Sequence, residues 1–394
     1  MDLSSTGASA QQEGGAEVNA RLLQLAVFCA AFDNFLIAPM LVSIALDTGV
    51  TLTEATGIAS AYFFAYGVMQ PVWGVASDRL GRVAVMRLGL AGAALTGAAC
   101  VATSSLGPLV LGRLLAGGVL ASVVPAAITY SGDAFSVERR QGVIADLNAA
   151  YAVGTALGTF AGGAAATYAS WRVGFATSAV LAGLCAWALS RLPRPANATT
   201  GSLGDRIRVV LGAPWVLVVV GLALVEGAVL LGFLTFLAPA LVATGYRPGV
   251  AGLVVAAYGV AVLGWTRGVK RWGNGRLSPT ALIAIGAVML VAGYAAAAFS
   301  PGVVGVLTAS VLVGGALAFM HSVLQVWATQ VAPSARALVV ALFAGALFVG
   351  SAVSTRAFAP LAGQGAFRQL FTLAALLGIP VGVAAVWGRS RYKS

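Results

Sequence analysis

GVASDRLGRVAVMR (74–87) sets two glycines, an aspartate and three arginines between two long apolar runs, AYFFAYGVMQPVW (61–73) and LGLAGAALTGAACVA (88–102). Gly74 and Gly81 suit a tight turn, and Asp78, Arg79, Arg82 and Arg87 need water or one another. Apolar runs of this length that meet only at a charged turn read as two membrane-crossing helices. The whole chain agrees. Of its 394 residues, 59% are hydrophobic and only 9% charged, against about 25% charged in a soluble domain. Fifty glycines suit helices packed closely in lipid. A net charge of +11 would suggest nucleic acid for a soluble protein; here it marks basic loops, and no nucleic-acid partner is expected.

Working outward, twelve stretches are long and apolar enough to span: 21–43, 54–76, 84–103, 107–130, 142–167, 171–190, 214–240, 249–268, 278–299, 302–328, 336–361 and 367–388. Alternate connections hold most of the basic residues, among them Arg79, Arg82, Arg139, Arg140, Arg194, Arg276 and Lys393. The other connections hold only Arg172, Arg247 and Arg368. The positive-inside rule then places both termini in the cytoplasm. Residues 1–20 have no basic residue before Arg21, unlike a signal peptide, and read as a disordered tail. The polar stretch 191–213 reads as a cytoplasmic linker between bundles at 21–190 and 214–390. Cys29, Cys100 and Cys185 lie far apart in apolar runs and read as small buried hydrophobes.

The two halves echo each other at an offset of about 195 residues. AYFFAYGV (61–68) pairs with VVAAYGV (254–260), GVASDRLGR (74–82) with RGVKRWGNGR (267–276), and YAVGTALGT (151–159) with LFVGSAVST (347–355). VERRQGV (137–143) and WRVGFATSAVLAGL (171–184) have partners in the same order. Duplication of a six-helix unit is the economical explanation, and a binding site between two such units is a known transporter plan.

The turn at 74–87 resembles the signature loop of the major facilitator superfamily, roughly G-x-x-x-D-R-x-G-R, with Gly74, Asp78, Arg79, Gly81 and Arg82 in register and Val83 where a second basic residue is common. RLLAGGVLASVVPA (113–126) resembles the family's span-4 motif, which begins at an intramembrane arginine, here Arg113. GTALGTFAGG (154–163) is similar to the antiporter motif G-x-x-x-G-P-x-x-G-G. Gly154, Gly158, Gly162 and Gly163 match it, and Thr159 replaces the proline, which removes an expected bend. The resemblance covers essentially residues 21–390 and is to the twelve-span drug:proton antiporter group. It implies an all-α fold of two pseudo-symmetric six-helix bundles with spans 1, 4, 7 and 10 around a central cavity. It also implies that the signature loop acts as a conformational latch, with Arg139 and Arg140 as expected partners of Asp78.

Against that frame of helices, the ionisable residues deep in the spans stand out. Asp33 in CAAFDNFLIAPMLV (29–42) lies 12 residues past Arg21, about 18 Å along a helix. A carboxylate near mid-membrane costs at least ~2.5–3.5 kcal/mol, so it should face the bundle interior or a wet cavity. Glu226 lies at a similar depth in span 7 and is a second candidate proton site. For Arg113, three roles stay open: tuning Asp33, contacting substrate, or bonding backbone carbonyls. His321 in span 10 reads as a satisfied histidine near the cytoplasmic boundary rather than a relay. The aromatics Phe32, Phe35, Tyr62, Tyr66, Phe233, Phe236 and Tyr258 flank these helices and could stack on flat cations. There is no metal-ligand cluster, catalytic triad or phosphate-binding loop, so neither an enzyme nor a nucleotide-driven pump is expected. The expectation is a monomeric secondary transporter in a bacterial cytoplasmic membrane. It needs no cofactor, is driven by the proton gradient, and exchanges protons at Asp33 and Glu226 for small amphipathic or cationic compounds. A sugar or metabolite transporter of the same fold is the alternative.

Overall fold

The computed structural model describes residues 3–193, 203–273 and 277–392; Arg194, Arg276, Lys393 and the centre of the expected linker lie outside them. In the first half, span 1 runs Leu3–Phe35 and resumes at Leu41–Thr48. Span 2 is Gly57–Leu80, span 3 Arg82–Val101, span 4 Leu106–Leu120 with Val123–Ala134, span 5 Val137–Tyr168 and span 6 Trp171–Ala188. In the second half, span 7 runs Pro214–Gly227 and resumes at Leu237–Ala243, and span 8 is Pro248–Gly273. Span 9 is Pro279–Phe299, span 10 Val303–Ala316 with Ser322–Ala328, span 11 Arg336–Gly363 and span 12 Phe367–Arg391. Span 1 thus extends back through residues 3–20, read from the sequence as a disordered tail. The stretch read as a linker contains a helix, Leu203–Gly212.

Eleven of these helical stretches are apolar and long enough to cross a membrane. The twelfth, span 2, has the length but carries Ser60, Tyr62, Tyr66 and Gln70. Its polar groups are buried inside the protein rather than set against lipid: the Ser60 hydroxyl donates to the Ala352 carbonyl of span 11 at 2.9 Å, and Tyr62, Tyr66 and Gln70 are buried.

Spans 1, 4, 7 and 10 are each interrupted near their middle, whereas the other eight run as continuous α-helices. In span 1 the α-helix stops at Phe35 and a 3-10 turn at Ala38–Met40 contains Pro39. Pro39 has no N–H for the Phe35 carbonyl, which explains the break. Span 4 breaks at Ala121–Ser122, just before Pro125. Span 7 passes through a π turn at Ala228–Gly232 and a 3-10 turn at Phe233–Phe236 before Pro239. Span 10 has a π turn at Leu317–His321 with no proline. Pro71 lies inside span 2 without ending the helix.

The packing repeats under a shift of six spans. Contacts 1·5, 2·4, 3·4 and 3·6 in the first half recur as 7·11, 8·10, 9·10 and 9·12 in the second. The two largest contacts between halves, 2·11 and 5·8, exchange under the same shift. This is the pattern of a pseudo-twofold, and it makes the fold two six-helix bundles. Span 5 approaches two neighbouring helices closely along one stripe of glycines. At Gly154, Gly158 and Gly162 any side chain would run into the Phe28, Phe32 and Leu36 carbonyls of span 1, while Gly163 abuts Pro248 and Gly252 of span 8. One stripe of small residues therefore joins span 1 to span 5, and span 5 to the other half. Span 5 is unbroken at Thr159, as the missing proline predicts; the Thr159 hydroxyl donates to the Thr155 carbonyl at 2.8 Å.

Candidate functional site

Asp33 and Arg113 meet as a bidentate pair. The Arg113 Nη1 donates to Asp33 Oδ1 at 3.0 Å and Nη2 to Oδ2 at 2.8 Å, with a further bond from Nη2 to the Asp33 carbonyl at 3.2 Å. Ser178 of span 6 donates to Oδ1 at 2.7 Å. The guanidinium carbon lies 4.5 Å from the centre of the Tyr62 ring and 5.2 Å from that of Phe175. Arg113 is 0% and Asp33 3% exposed. Spans 1, 2, 4 and 6 thus converge on one neutralised ion pair inside the first bundle. Of the three roles open for Arg113 in the sequence, the geometry combines two, pairing with Asp33 and bonding a backbone carbonyl.

The second acid has a different partner. Glu226 Oε2 lies 3.1 Å from His321 Nδ1, and its Oε1 is buried with no hydrogen-bond partner. The Glu226 side chain is 0% exposed and the His321 side chain 14%. The imidazole packs on Phe343 of span 11, ring centres 5.4 Å apart. Glu226 lies two residues before the π turn of span 7, and His321 is the last residue of the π turn of span 10. The sequence reading set His321 apart at the boundary; the structure brings it onto the acid.

Between the halves lies a narrow cavity lined by Asn34, Phe35, Phe63, Thr159, Leu231 and Tyr258, among others. Phe35 and Tyr258 stack across it with ring centres 5.9 Å apart, and Tyr151 stands edge-on to Phe35 at 6.3 Å. The Asn34 Nδ2 donates to the Tyr151 hydroxyl at 3.5 Å, leaving a buried Oδ1 without a partner. Not all the expected aromatics face this space. Phe32 packs on Phe28 beside span 5, Phe233 lies between Tyr294 and Phe358, and Phe236 is fully buried. Tyr62 belongs to the Arg113 site, and Tyr66 sits on Phe348 of span 11 at 4.4 Å. Residues about 100° apart on a helix face different neighbours, so proximity in sequence to a cavity helix did not select the lining. Asn34, Tyr151 and Ser178 were missed. Asn34 alone carried a signal, as an amide beside Asp33 in an apolar run.

The signature turn closes at Gly81, whose φ of +89° suits glycine. Asp78 accepts from Arg82 Nη1 at 2.7 Å and from Arg206 Nη1 at 3.3 Å, the latter on the helix Leu203–Gly212. Arg82 also reaches Ser77 and Asp133 of span 4, at 3.2 and 3.3 Å. Arg139 and Arg140, expected as partners of Asp78, are engaged elsewhere. Arg140 donates to the Gly132 carbonyl, and Arg139 lines a surface hollow with Glu17, Arg21 and Asp146. Arg79 lies exposed in the last turn of span 2, and Gly74 faces Ala341 of span 11.

Several known proteins share parts of this picture. A triacylglyceride transporter of Mycolicibacterium smegmatis is 26% identical over 141 residues, 35% of this chain and 25% of that protein. One of Mycobacteroides abscessus is 25% identical over 141 residues, covering 27% of its length. The match thus spans about a quarter of these curated relatives. Among solved structures, a mutant of the nucleoside transporter NupG superposes with a TM-score of 0.77 at 13% identity, covering 94% of this chain and 99% of that one. A bacterial homologue of the human lysosomal transporter Spinster, in an inward-facing and unoccupied conformation, gives 0.76 at 15% identity, covering 96% and 98%. These likenesses show the fold. The family model of the major facilitator superfamily matches residues 23–355, and with it the chain belongs to that superfamily of membrane transporters.

Proposed function

We propose that the protein is a proton-coupled exporter of small amphipathic compounds, including cationic ones, acting as a monomer by alternating access in a bacterial cytoplasmic membrane. Both termini lie in the cytoplasm, and the proton gradient supplies the energy without a cofactor. The observation that carries this reading is the cavity between the halves. Its stacked Phe35 and Tyr258 offer faces to a flat apolar body or a soft cation, and Asn34 Oδ1 offers one acceptor to a polar end. The wall has few hydrogen-bonding groups, so a sugar would lose more water contacts than it regained. The glycine stripe on span 5 matches the antiporter-like pattern and supports exchange.

A neutral lipid-like substrate is a second reading. It is favoured by the apolar wall and by the relatives named triacylglyceride transporters. One experiment separates the readings. Everted vesicles with an acidified lumen receive ethidium, neutral drugs, sugars or a short-chain fluorescent triacylglycerol, and collapse of the pH gradient is recorded. Collapse by ethidium that is weakened in Phe35→Ala and Tyr258→Ala supports the first reading. Movement of the triacylglycerol alone supports the second. If sugars alone collapse the gradient, both readings fail.

A further inference from the structure

We propose that the Glu226–His321 pair is the site that carries the coupling proton, and that Asp33 is a structural group held permanently by Arg113. This rests on the proton-coupled reading above and names the residues that serve it. The sequence reading placed the exchange at Asp33 and Glu226 together; the geometry keeps Glu226, adds His321 and sets Asp33 aside.

A coupling site must gain and lose a proton during the cycle. Asp33 is poorly built for that. Both oxygens face a guanidinium that stays charged, and a hydroxyl adds a third bond. Protonating Asp33 would leave Arg113 buried without a counter-charge. Glu226 is built differently. One oxygen meets an imidazole, which can hold or release a proton, and the other is enclosed with no partner. A single proton can therefore sit on the carboxyl, on the imidazole, or between Oε2 and Nδ1. Glu226 is sealed, whereas the His321 side chain is partly exposed, so the imidazole is the route by which the proton reaches and leaves the acid.

Among the described residues, no lysine or arginine makes an ion pair or hydrogen bond with either member of this pair. From span 8, the Tyr258 hydroxyl is in electrostatic reach of Glu226. Span 9 presents Tyr294, whose hydroxyl donates to the Leu230 carbonyl at 2.9 Å. Span 11 presents Phe343, and Ser351, which donates to the Gly227 carbonyl at 3.0 Å; its Arg356 lies toward the opposite end. Span 12 has no ionisable residue between Arg368 and Arg389. The helix at Leu203–Gly212 brings Asp205, Arg206 and Arg208 to the end of span 7, about 18 Å below Glu226.

The backbone supplies the means of response. A π turn holds one extra residue, and moving it along a helix rotates the flanking residues by about 100°. Both members of the pair sit at such a turn, in spans 7 and 10. Making or breaking the Glu226–His321 contact is thus coupled to the register of two of the four interrupted helices.

The test uses the full chain in liposomes with ethidium as the probe. Accumulation driven by a pH gradient is compared with gradient-free exchange of ethidium for ethidium. Glu226→Gln and His321→Gln should each lose gradient-driven transport by about tenfold or more and keep exchange within about twofold. The chain has one histidine, so 15N-histidine labelling of an untagged protein reports a single imidazole. Its signal should respond to pH, and the response should change in Glu226→Gln. Retained gradient-driven transport in both variants overturns the proposal. So does an imidazole signal indifferent to pH or to Glu226→Gln. If the wild type moves no ethidium, the substrate reading fails by itself, and the imidazole signal still decides the proton site.

Discussion

Asp33 and Glu226 are buried acids in spans 1 and 7, the two helices related by the pseudo-twofold, yet their surroundings differ in kind. Asp33 meets a bidentate arginine and a serine, and four helices of the first bundle close on it. Glu226 meets one imidazole nitrogen and leaves an oxygen unpartnered, beside two π turns. Both satisfy the rule that an intramembrane acid needs a partner. The identity of that partner decides what the acid can do. Arginine keeps its charge and fixes the carboxylate; histidine changes its charge in the physiological range and lets the carboxylate change too. A duplicated fold can in this way assign fastening to one half and switching to the other.

The comparison breaks most visibly if the Asp33 pair is not a fastener. Arg113→Ala strands a buried carboxylate and empties the space between Tyr62 and Phe175. It should cost about 3–5 kcal/mol and lower the thermal unfolding midpoint of the detergent-purified protein sharply. Arg113→Lys should rescue little, since an ammonium cannot span both oxygens. An unchanged midpoint in Arg113→Ala would show that the first bundle does not depend on the pair. Glu226→Gln should leave the midpoint within about 1 kcal/mol of wild type, because an amide can keep the bond to His321 without burying a charge.

A smaller effect sharpens the same contrast by disturbing the helix that carries Asp33. Gly158 lies against the Phe32 carbonyl, next in sequence to Asp33, whereas Gly221 on span 7 has open space where its side chain would be. Gly158→Leu should cost about 1–3 kcal/mol by forcing spans 1 and 5 apart. Gly221→Leu should stay within about 0.5 kcal/mol. Equal midpoints for the two variants would mean that close approach of span 5 does not hold span 1 in place.

Smaller again is the contact from the helix Leu203–Gly212 to the signature turn. The Arg206–Asp78 pair is partly exposed and Asp78 keeps Arg82, so Arg206→Ala should cost about 0.2–1 kcal/mol. Its effect should appear in the rate of conformational exchange rather than in binding, measured by fluorescence from labels on spans 2 and 11.

Much of this architecture was legible. Helix lengths, the signature turn and the sixfold shift all follow from apolar run length and local turn chemistry, which depend on residues near in sequence. Pro39 and Pro125 mark breaks for the same reason. What was not legible depends on which helix face meets which. Arg113 is 80 residues from Asp33, and Ser178 is 145 residues away. No local pattern announces either contact. His321 was set at the boundary by counting residues along span 10. A count gives depth and no azimuth, and span 10 contains a π turn that shifts both. The same gap explains Phe32, Phe233 and Phe236, which lie on cavity helices but face the core.

A third acid provides the control for the other two. Glu54 lies on the short helix Leu52–Ala55 between spans 1 and 2, fully in solvent, where it closes a capping box. Its Oε2 accepts from the Thr51 backbone N–H and from the Thr51 hydroxyl, both at 2.8 Å, and Thr51 accepts in return from the Glu54 N–H at 3.2 Å. The backbone bond first, and the hydroxyl bond second, hold its carboxyl below the ordinary value. A carboxylate lowered in the folded state adds stability above its unfolded value, and that stability is lost as pH falls through the folded one. The unfolding midpoint of wild type should therefore exceed that of Glu54→Gln slightly at pH 7, and the gap should close as the pH is taken down through the carboxylate range. Transport driven by a pH gradient should be the same in both, because this acid lies in solvent and its carboxylate bonds only to Thr51, within its own turn. If Glu54→Gln altered coupling as Glu226→Gln is expected to, loss of any carboxylate would suffice, and the distinction between a fastened acid and a switching one would lose its meaning.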